Sequence, residues 1–229
     1  MQIVILAGGL ATRMRPMTEK IPKSILSIKN RPFIDYQLSL FSSNGISDVL
    51  ICVGHLGEMI ESFVGDGAKW GIHVDYSWEK ENLLGTAGAL RNAADKLEDN
   101  FILTWGDSYV PLDYKLFFQQ HLKSKYICNI GVFQNYNKWD KSNILFLNGL
   151  VAKYDKNHLS NDMNYIDVGI SGISKKILNS IPAGFVSLDD VWQKLSIQNM
   201  IGGIEVKQRF YEIGSFDGFN EFTELADTL

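Results

Sequence analysis

Through the first 110 residues, short apolar runs alternate with stretches of helical period, which predicts strands and helices in turn. Gln2–Leu6 is short, apolar and closed by Gly8-Gly9, so it predicts a buried strand. Phe33–Asn44 carries apolar residues at helical spacing and meets Gly45, a helix-ending signal. Val49–Val53 predicts a second strand, Leu56–Val64 a second helix and His73–Trp78 a third strand. Thr86–Leu97 is alanine-rich and predicts a helix leading into a fourth strand at Phe101–Trp105. This alternation implies a parallel sheet with crossover helices.

Beyond residue 110 the pattern becomes mixed. Tyr114–Leu122 predicts a helix and Ile127–Val132 a strand. Ile144–Phe146 and Val151–Tyr154 flank Asn148-Gly149, a pair suited to a tight hairpin. Tyr165–Ile173 and Ile204–Tyr211 predict further strands, with helices at Lys175–Ser180 and Leu188–Ile197. A last helix is predicted at Asp217–Asp227, with Ser215 as its cap. The expected fold class is α/β: a Rossmann-like, mostly parallel or mixed central sheet flanked by helices, with a small hairpin-bearing extension. In open α/β sheets ligands sit beyond the carboxyl ends of the strands. That rule directs attention to Ala7–Arg15, His55, Glu79–Gly85 and Gly106-Asp107.

Composition narrows the reading. With 229 residues, few prolines and no low-complexity run or repeat, one domain spanning 1–229 is expected. A net charge of −4 argues against a general nucleic-acid partner. The first 31 residues nevertheless carry Arg13, Arg15, Lys20, Lys23, Lys29 and Arg31 against Glu19 alone, a local surplus that suits a small polyanion. Cys52 and Cys128 are isolated in apolar surroundings, without CxxC spacing, so free buried thiols are expected rather than zinc or redox chemistry. There is no basic leader, and no apolar run approaches the ~20 residues that cross a bilayer. A cytoplasmic protein with no membrane partner is the expectation.

The chemistry-bearing stretch is Leu6-Ala7-Gly8-Gly9-Leu10-Ala11-Thr12-Arg13, directly after the first strand. Adjacent glycines let backbone N–H groups approach a phosphate chain, and Arg13 adds a guanidinium fork. The spacing is neither that of the P-loop nor the dinucleotide fingerprint GxGxxG. The absence of that fingerprint, and of an acid some 20 residues on, disfavours a nicotinamide-dependent oxidoreductase.

GGLATRMRPMTEKIPKSILSIKNRPFIDYQL resembles the start of the sugar-1-phosphate nucleotidyltransferases, or NDP-sugar pyrophosphorylases. Within them it is most similar to short bacterial enzymes acting on manno-heptose, mannose or N-acetylmuramate 1-phosphate. The likeness is strongest over residues 2–110, the expected nucleotide-binding half, and patchier over 111–229, the expected sugar-phosphate-binding half. The resemblance implies that the loop Leu6, Ala7, Gly8, Gly9 and Thr12 cradles the triphosphate of a nucleoside triphosphate. By the same resemblance Arg13 holds the departing pyrophosphate and Lys23 stabilises charge at the α-phosphate, the pair forming the catalytic group.

Leu84-Gly85-Thr86-Ala87-Gly88 matches the loop against base and ribose, where Gly85 and Thr86 are carried over and a side chain in place of glycine would meet the nucleotide. Glu79 and Glu81 fall where relatives recognise the base. A carboxylate accepts from guanine N1–H and N2–H together, which favours GTP. Gly106-Asp107 matches the pair whose aspartate binds Mg2+, a cation that takes one or two carboxylates plus substrate phosphates. Relatives place Asp-x-Gly near the C-terminus, whereas this chain has Glu212-Ile213-Gly214, with Asp217 a substitute ligand. Lys156 matches a lysine that meets the sugar phosphate, and Asp167 a residue that touches the hexose.

The implied reaction joins GTP and a heptose- or mannose-type sugar 1-phosphate, giving an NDP-sugar and pyrophosphate for cell-surface polysaccharide. A UTP- or CTP-dependent relative and a non-catalytic nucleotide-sugar-binding regulatory subunit are the alternatives. A homodimer is compatible with the resemblance.

Overall fold

The computed structural model describes residues 1–79 and 83–229. In chain order it contains β1 (Gln2–Leu6), β2 (Ser27–Ile28), β3 (Arg31–Pro32), α1 (Phe33–Ser43), β4 (Asp48–Val53), α2 (Gly57–Val64), β5 (His73–Trp78), α3 (Gly85–Asn92), β6 (Asn100–Trp105), β7 (Ser108–Tyr109) and α4 (Tyr114–Lys123). There follow β8 (Cys128–Gln134), β9 (Ile144–Leu147), β10 (Leu150–Tyr154), β11 (Tyr165–Ser174), α5 (Leu188–Ile197), β12 (Ile201–Glu205), β13 (Tyr211–Glu212) and α6 (Phe216–Leu225).

Among the described residues, nine strands form one mixed sheet in the order β5-β4-β1-β6-β11-β8-β12-β10-β9. β5, β4, β1 and β6 run parallel. β11 is antiparallel to β6 and to β8, and β12 is parallel to β8. The chain leaves β1 toward β4 and β5, then returns to place β6 on the other side of β1. That reversal is a topological switch point, and it opens a crevice at the carboxyl ends of β1, β4 and β6.

Both faces of the sheet are covered. In β1, Ile3 and Ile5 join α1, α2 and α4, while Val4 and Leu6 join α3 and α5 on the opposite face. Alternation between two buried layers explains why β1 reads as an unbroken apolar run. A third, smaller cluster centres on Phe222 of α6, whose ring lies 4.9 Å from Phe33, 5.3 Å from Tyr36 and 5.1 Å from Tyr109. This cluster pins α6, capped by the Ser215 hydroxyl accepting from Gly218 N, beside the turn that follows β13.

Several expectations need correction. The hairpin at Asn148-Gly149 forms, with φ of 49° and 85°, and it extends the main sheet itself: β10 pairs with β12 and β9 reaches β11. The helix expected over Thr86–Leu97 stops at Asn92, whose side-chain amide turns to donate to Ser77 Oγ and Trp78 O of β5. Lys175–Ser180 is a 3-10 helix. The strand expected over Ile204–Tyr211 is two strands. β12 starts earlier, at Ile201, through Gly202-Gly203, where the Phe146 ring occupies the space a Gly203 side chain would need. Glycine has little strand preference, so the pattern concealed this segment. Tyr211–Glu212 leaves the main sheet to pair with β7.

Candidate active site

Three loops meet at the switch point. The loop after β1 begins at Ala7-Gly8, that after β4 at Gly54, and that after β6 at Gly106-Asp107. Gly8 and Gly54 touch backbone to backbone: a Cβ on Gly8 would lie 3.2 Å from Gly54 N, and one on Gly54 would lie 3.1 Å from Gly8 O. Glycine at both positions lets the loops close on each other. After Gly9 the chain turns through Ala11, at φ 49°, into a 3-10 turn at Thr12–Met14. Met14 is fully buried beneath this turn and Arg13 projects from it. Lys23 sits on a second 3-10 turn, Lys23–Ile25, and its Nζ meets Asp107 Oδ2 at 2.5 Å.

The second carboxylate arrives through backbone pairing. In the β7–β13 ladder Glu212 lies opposite Ser108, and Ile213 N donates to Asp107 O at 2.9 Å. Residues distant in sequence thus bring Asp107 and Glu212 together. A Cβ placed on Gly214 would lie 3.2 Å from both Arg13 Nη2 and Asp107 Oδ2, and 3.6 Å from Glu212 Oε1, so these three groups converge there. Burial, reinforced by Asp107, raises the Glu212 carboxyl above its ordinary range despite Arg13 and Lys23. Asp217 is exposed on α6 and lines neither cavity described below.

Two adjoining cavities share Thr86, Trp105, Asp107 and Ser187 as a common wall. The larger, about 470 Å³, is lined by Leu6, Ala7, Gly8, Gly9, Thr12, Lys23, Glu79, Gly85, Thr86 and Asp107, among others. The smaller, about 240 Å³, is lined by Arg13, Thr86, Asp107, Lys156, Asp167 and Glu212, with Tyr154 behind its wall. The residues carried over as catalytic, nucleotide-binding and sugar-phosphate-binding therefore lie on one wall or the other, as do Asp107 and Glu212. His55 is exposed and on neither, and Glu81 lies outside the described residues.

Local geometry revises some roles. Gly85 has φ +73°, and a Cβ there would strike Val186 O at 2.5 Å, so its lack of a side chain answers to the neighbouring chain. Thr86 Oγ1 accepts from Leu188 N at 2.7 Å and ties the start of α3 to that of α5. Glu79 faces the larger cavity, with Oε2 accepting from Leu84 N at 3.3 Å, and burial raises its carboxyl against that hydrogen bond.

Sequence reasoning missed three side chains. Gln37 of α1 is buried and donates from Nε2 to Trp105 O at 2.9 Å and Ser108 O at 2.6 Å, bracketing Gly106-Asp107. Tyr154 is buried with its hydroxyl 2.8 Å from Asp189 Oδ1 and 3.2 Å from Asp167 Oδ2. Asp189, in the first turn of α5, pairs with Lys156 Nζ at 3.0 Å. Desolvation pulls the Lys156 ammonium down, but Asp167 and Asp189 outweigh it and hold its pKa above the ordinary value. The Asp167 carboxyl is raised by burial in spite of Lys156 and Gly169 N. No local periodicity signals such contacts.

A cation site, if built here, rests on hard oxygens. Among the described residues no group of three or more His, Cys, Asp or Glu could hold a metal ion. Two convergent carboxylates, Asp107 and Glu212, match Mg2+, which completes its shell with water and substrate phosphate. No described helix is long and apolar enough to cross a membrane.

The nucleotidyl transferase family profile matches residues 2–142. A D-glycero-alpha-D-manno-heptose 1-phosphate guanylyltransferase from Aneurinibacillus thermoaerophilus is 36% identical over 126 residues, 55% of this chain and 54% of that protein. An N-acetylmuramate alpha-1-phosphate uridylyltransferase from Neisseria meningitidis is 34% identical over 120 residues, 52% of each. The chain thus spans about half the length of these curated relatives. The structure superimposes on HddC from Yersinia pseudotuberculosis with a TM-score of 0.82 and 25% identity, covering 98% of this chain and 99% of that one. HddC has also been solved complexed with GMP-PN.

Proposed function

This chain belongs to the nucleotidyl transferase family, and on that premise we propose that it joins a nucleoside triphosphate to a sugar 1-phosphate, releasing pyrophosphate. The observation that carries the reading is the convergence of Arg13, the Lys23–Asp107 pair and Glu212 where the two cavities meet. The larger cavity, with its bare glycine loop, suits the nucleotide. The smaller, with Lys156, suits the sugar phosphate.

In this reading a sugar-phosphate oxygen attacks the α-phosphorus in line and pyrophosphate leaves. The attacking phosphate is already deprotonated near neutral pH, so no protein nucleophile or base is required. Positioning and charge stabilisation carry the rate. Backbone N–H groups after β1 and the Arg13 guanidinium face the β- and γ-phosphates, and the Lys23 ammonium faces the α-phosphate. Each preorganised cation contributes about 3–4 kcal/mol to the barrier reduction, by analogy with an oxyanion donor.

Asp107 and Glu212 would hold Mg2+, which supplies neutralisation of phosphate charge when bound. The smaller cavity needs such a cation. It sets Asp107, Asp167, Asp189 and Glu212 against Arg13 and Lys156, so its walls alone repel a sugar phosphate. Glutamate in place of the aspartate of relatives reaches one methylene further, and the β7–β13 ladder sets its backbone.

Among nucleotides we favour GTP. The heptose relative is a guanylyltransferase, and Glu79 in the larger cavity is suited to guanine N1–H and N2–H. The uridylyltransferase relative supports UTP as the second reading. For the sugar, a heptose or mannose type is favoured by the same heptose relative. Four nucleoside triphosphates crossed with several sugar 1-phosphates, with and without magnesium, test all of this by pyrophosphate release. Release that needs both substrates and the metal is expected, greatest with GTP. A folded protein that releases none in any combination would falsify the proposal.

A further inference from the structure

Lys23 and Asp107 are locked together where the two cavities meet, Nζ to Oδ2 at 2.5 Å, with each side chain only 18% exposed. The oxygen that Lys23 holds is the one a bridging cation needs. Asp107 Oδ2 and Glu212 Oε1 converge on Gly214, 3.2 and 3.6 Å from the point where a Cβ would lie, and Arg13 Nη2 stands 3.2 Å from the same point. Two carboxylates are thus matched by two cations, and the seat is already neutral. A divalent ion entering it must displace an ammonium from a largely buried carboxylate.

The two partners belong to different walls. Lys23 lines the larger cavity and not the smaller, whereas Asp107 lies on the wall they share. The Lys23 backbone is fixed: in the 3-10 turn Lys23–Ile25, Leu26 N donates to Lys23 O at 3.0 Å, and the neighbouring Ser24 is buried. Its side chain can swing on a flexible four-carbon stem while the turn stays in place. A triphosphate laid along the larger cavity offers the ammonium a second anion, which a ligand confined to the smaller cavity does not. Resting on the function proposed above, we infer that Lys23 has a second role as resident counter-ion of the metal seat: it holds Asp107 against Mg2+ until the triphosphate draws it away. Nucleotide and metal then bind together, each raising the other's affinity by the same factor. The same swing that frees Asp107 carries the ammonium toward the α-phosphate.

The test titrates the nucleotide-free full chain with Mn2+ and reads the free ion by electron paramagnetic resonance, so no turnover is needed. Lys23→Met keeps the bulk of the stem and removes the charge, and it should bind Mn2+ at least about 10-fold more tightly than wild type. Lys23→Arg keeps the charge and should bind no more tightly than wild type. Adding Asp107→Asn to Lys23→Met should abolish the gain, which places the ion on the freed carboxylate. Thermal unfolding confirms that each variant folds; should Lys23→Met fail to fold, Lys23→Gln is held to the same criterion. Mn2+ affinity unchanged or weakened in the charge-free variant overturns the inference, as does a gain that survives Asp107→Asn. Pyrophosphate release by wild type, measured separately, keeps the two claims apart. Turnover without the gain refutes the counter-ion role alone, and the gain without turnover in any substrate combination refutes the transferase reading alone.

Discussion

Replacing Gln37 by Leu should expose how the Asp107 turn is held. The Gln37 side chain is 1% exposed and donates to Trp105 O at 2.9 Å and Ser108 O at 2.6 Å, the carbonyls flanking Gly106-Asp107. Leucine is one atom shorter than glutamine and offers no proton. Leaving a buried acceptor unpaired costs about 1–3 kcal/mol, so the two carbonyls together cost about 4 kcal/mol at the middle of that range. Against this, Gln37 Oε1 is itself buried without a partner among the described residues, so removing it returns about 1 kcal/mol. The net is destabilisation by about 3 kcal/mol, a midpoint lower by about 6–12 °C for a domain of this size. The released turn carries Asp107, and a misplacement of about 1 Å at reacting groups costs on the order of 100-fold in rate. Thermal unfolding by circular dichroism and pyrophosphate release well below the midpoint, with magnesium varied, measure both effects. A variant with an unchanged midpoint and kcat within about 3-fold of wild type would refute the assignment of Gln37 as a positioning residue.

Other consequences follow from the same geometry. Arg13→Ala should lower turnover at least about 100-fold with little change in the thermal midpoint, because Arg13 is exposed on its turn; near-normal pyrophosphate release would contradict its role. Glu212 has its carboxyl raised above an ordinary value of 4.5 by burial and by Asp107. An acid raised in the fold adds stability at low pH and loses it as pH climbs from about 4.5 through the folded value. Glu212→Gln should therefore gain stability relative to wild type across that window and keep the gain at neutral pH, while losing activity; denaturant midpoints at pH 4 and 7 check this.

The first half of the chain was legible because its signals are local. β1 and β5 begin and end at the residues their apolar runs mark; in the second half α5 alone fits its helical period as closely. The Gly8–Arg13 loop follows β1 directly, so finding the strand located the loop. What escaped depends on packing between distant segments. The strand pairing of Glu212 with Ser108 joins residues whose local patterns say nothing of each other, and it is this pairing that decides between Glu212 and Asp217 as the group beside Asp107. Gln37 reads as one polar position on a helix, and only the fold shows its amide clasping the turn after β6. Asp189 reads as a helix first-turn acid, which it is, and its tie to Tyr154 and Lys156 adds a second role. Gly85 was legible as necessary, and the fold adds a neighbour that no local pattern names, Val186 O, in the space a side chain would take.

Co-crystallisation with a non-hydrolysable GTP analogue and magnesium would probe the central claim most directly. The account predicts the triphosphate lying along Gly8–Arg13, the cation between it and the Asp107 and Glu212 carboxylates, and guanine beside Glu79. A nucleotide bound on another face of the sheet, with the turn after β1 in contact with water alone, would contradict it.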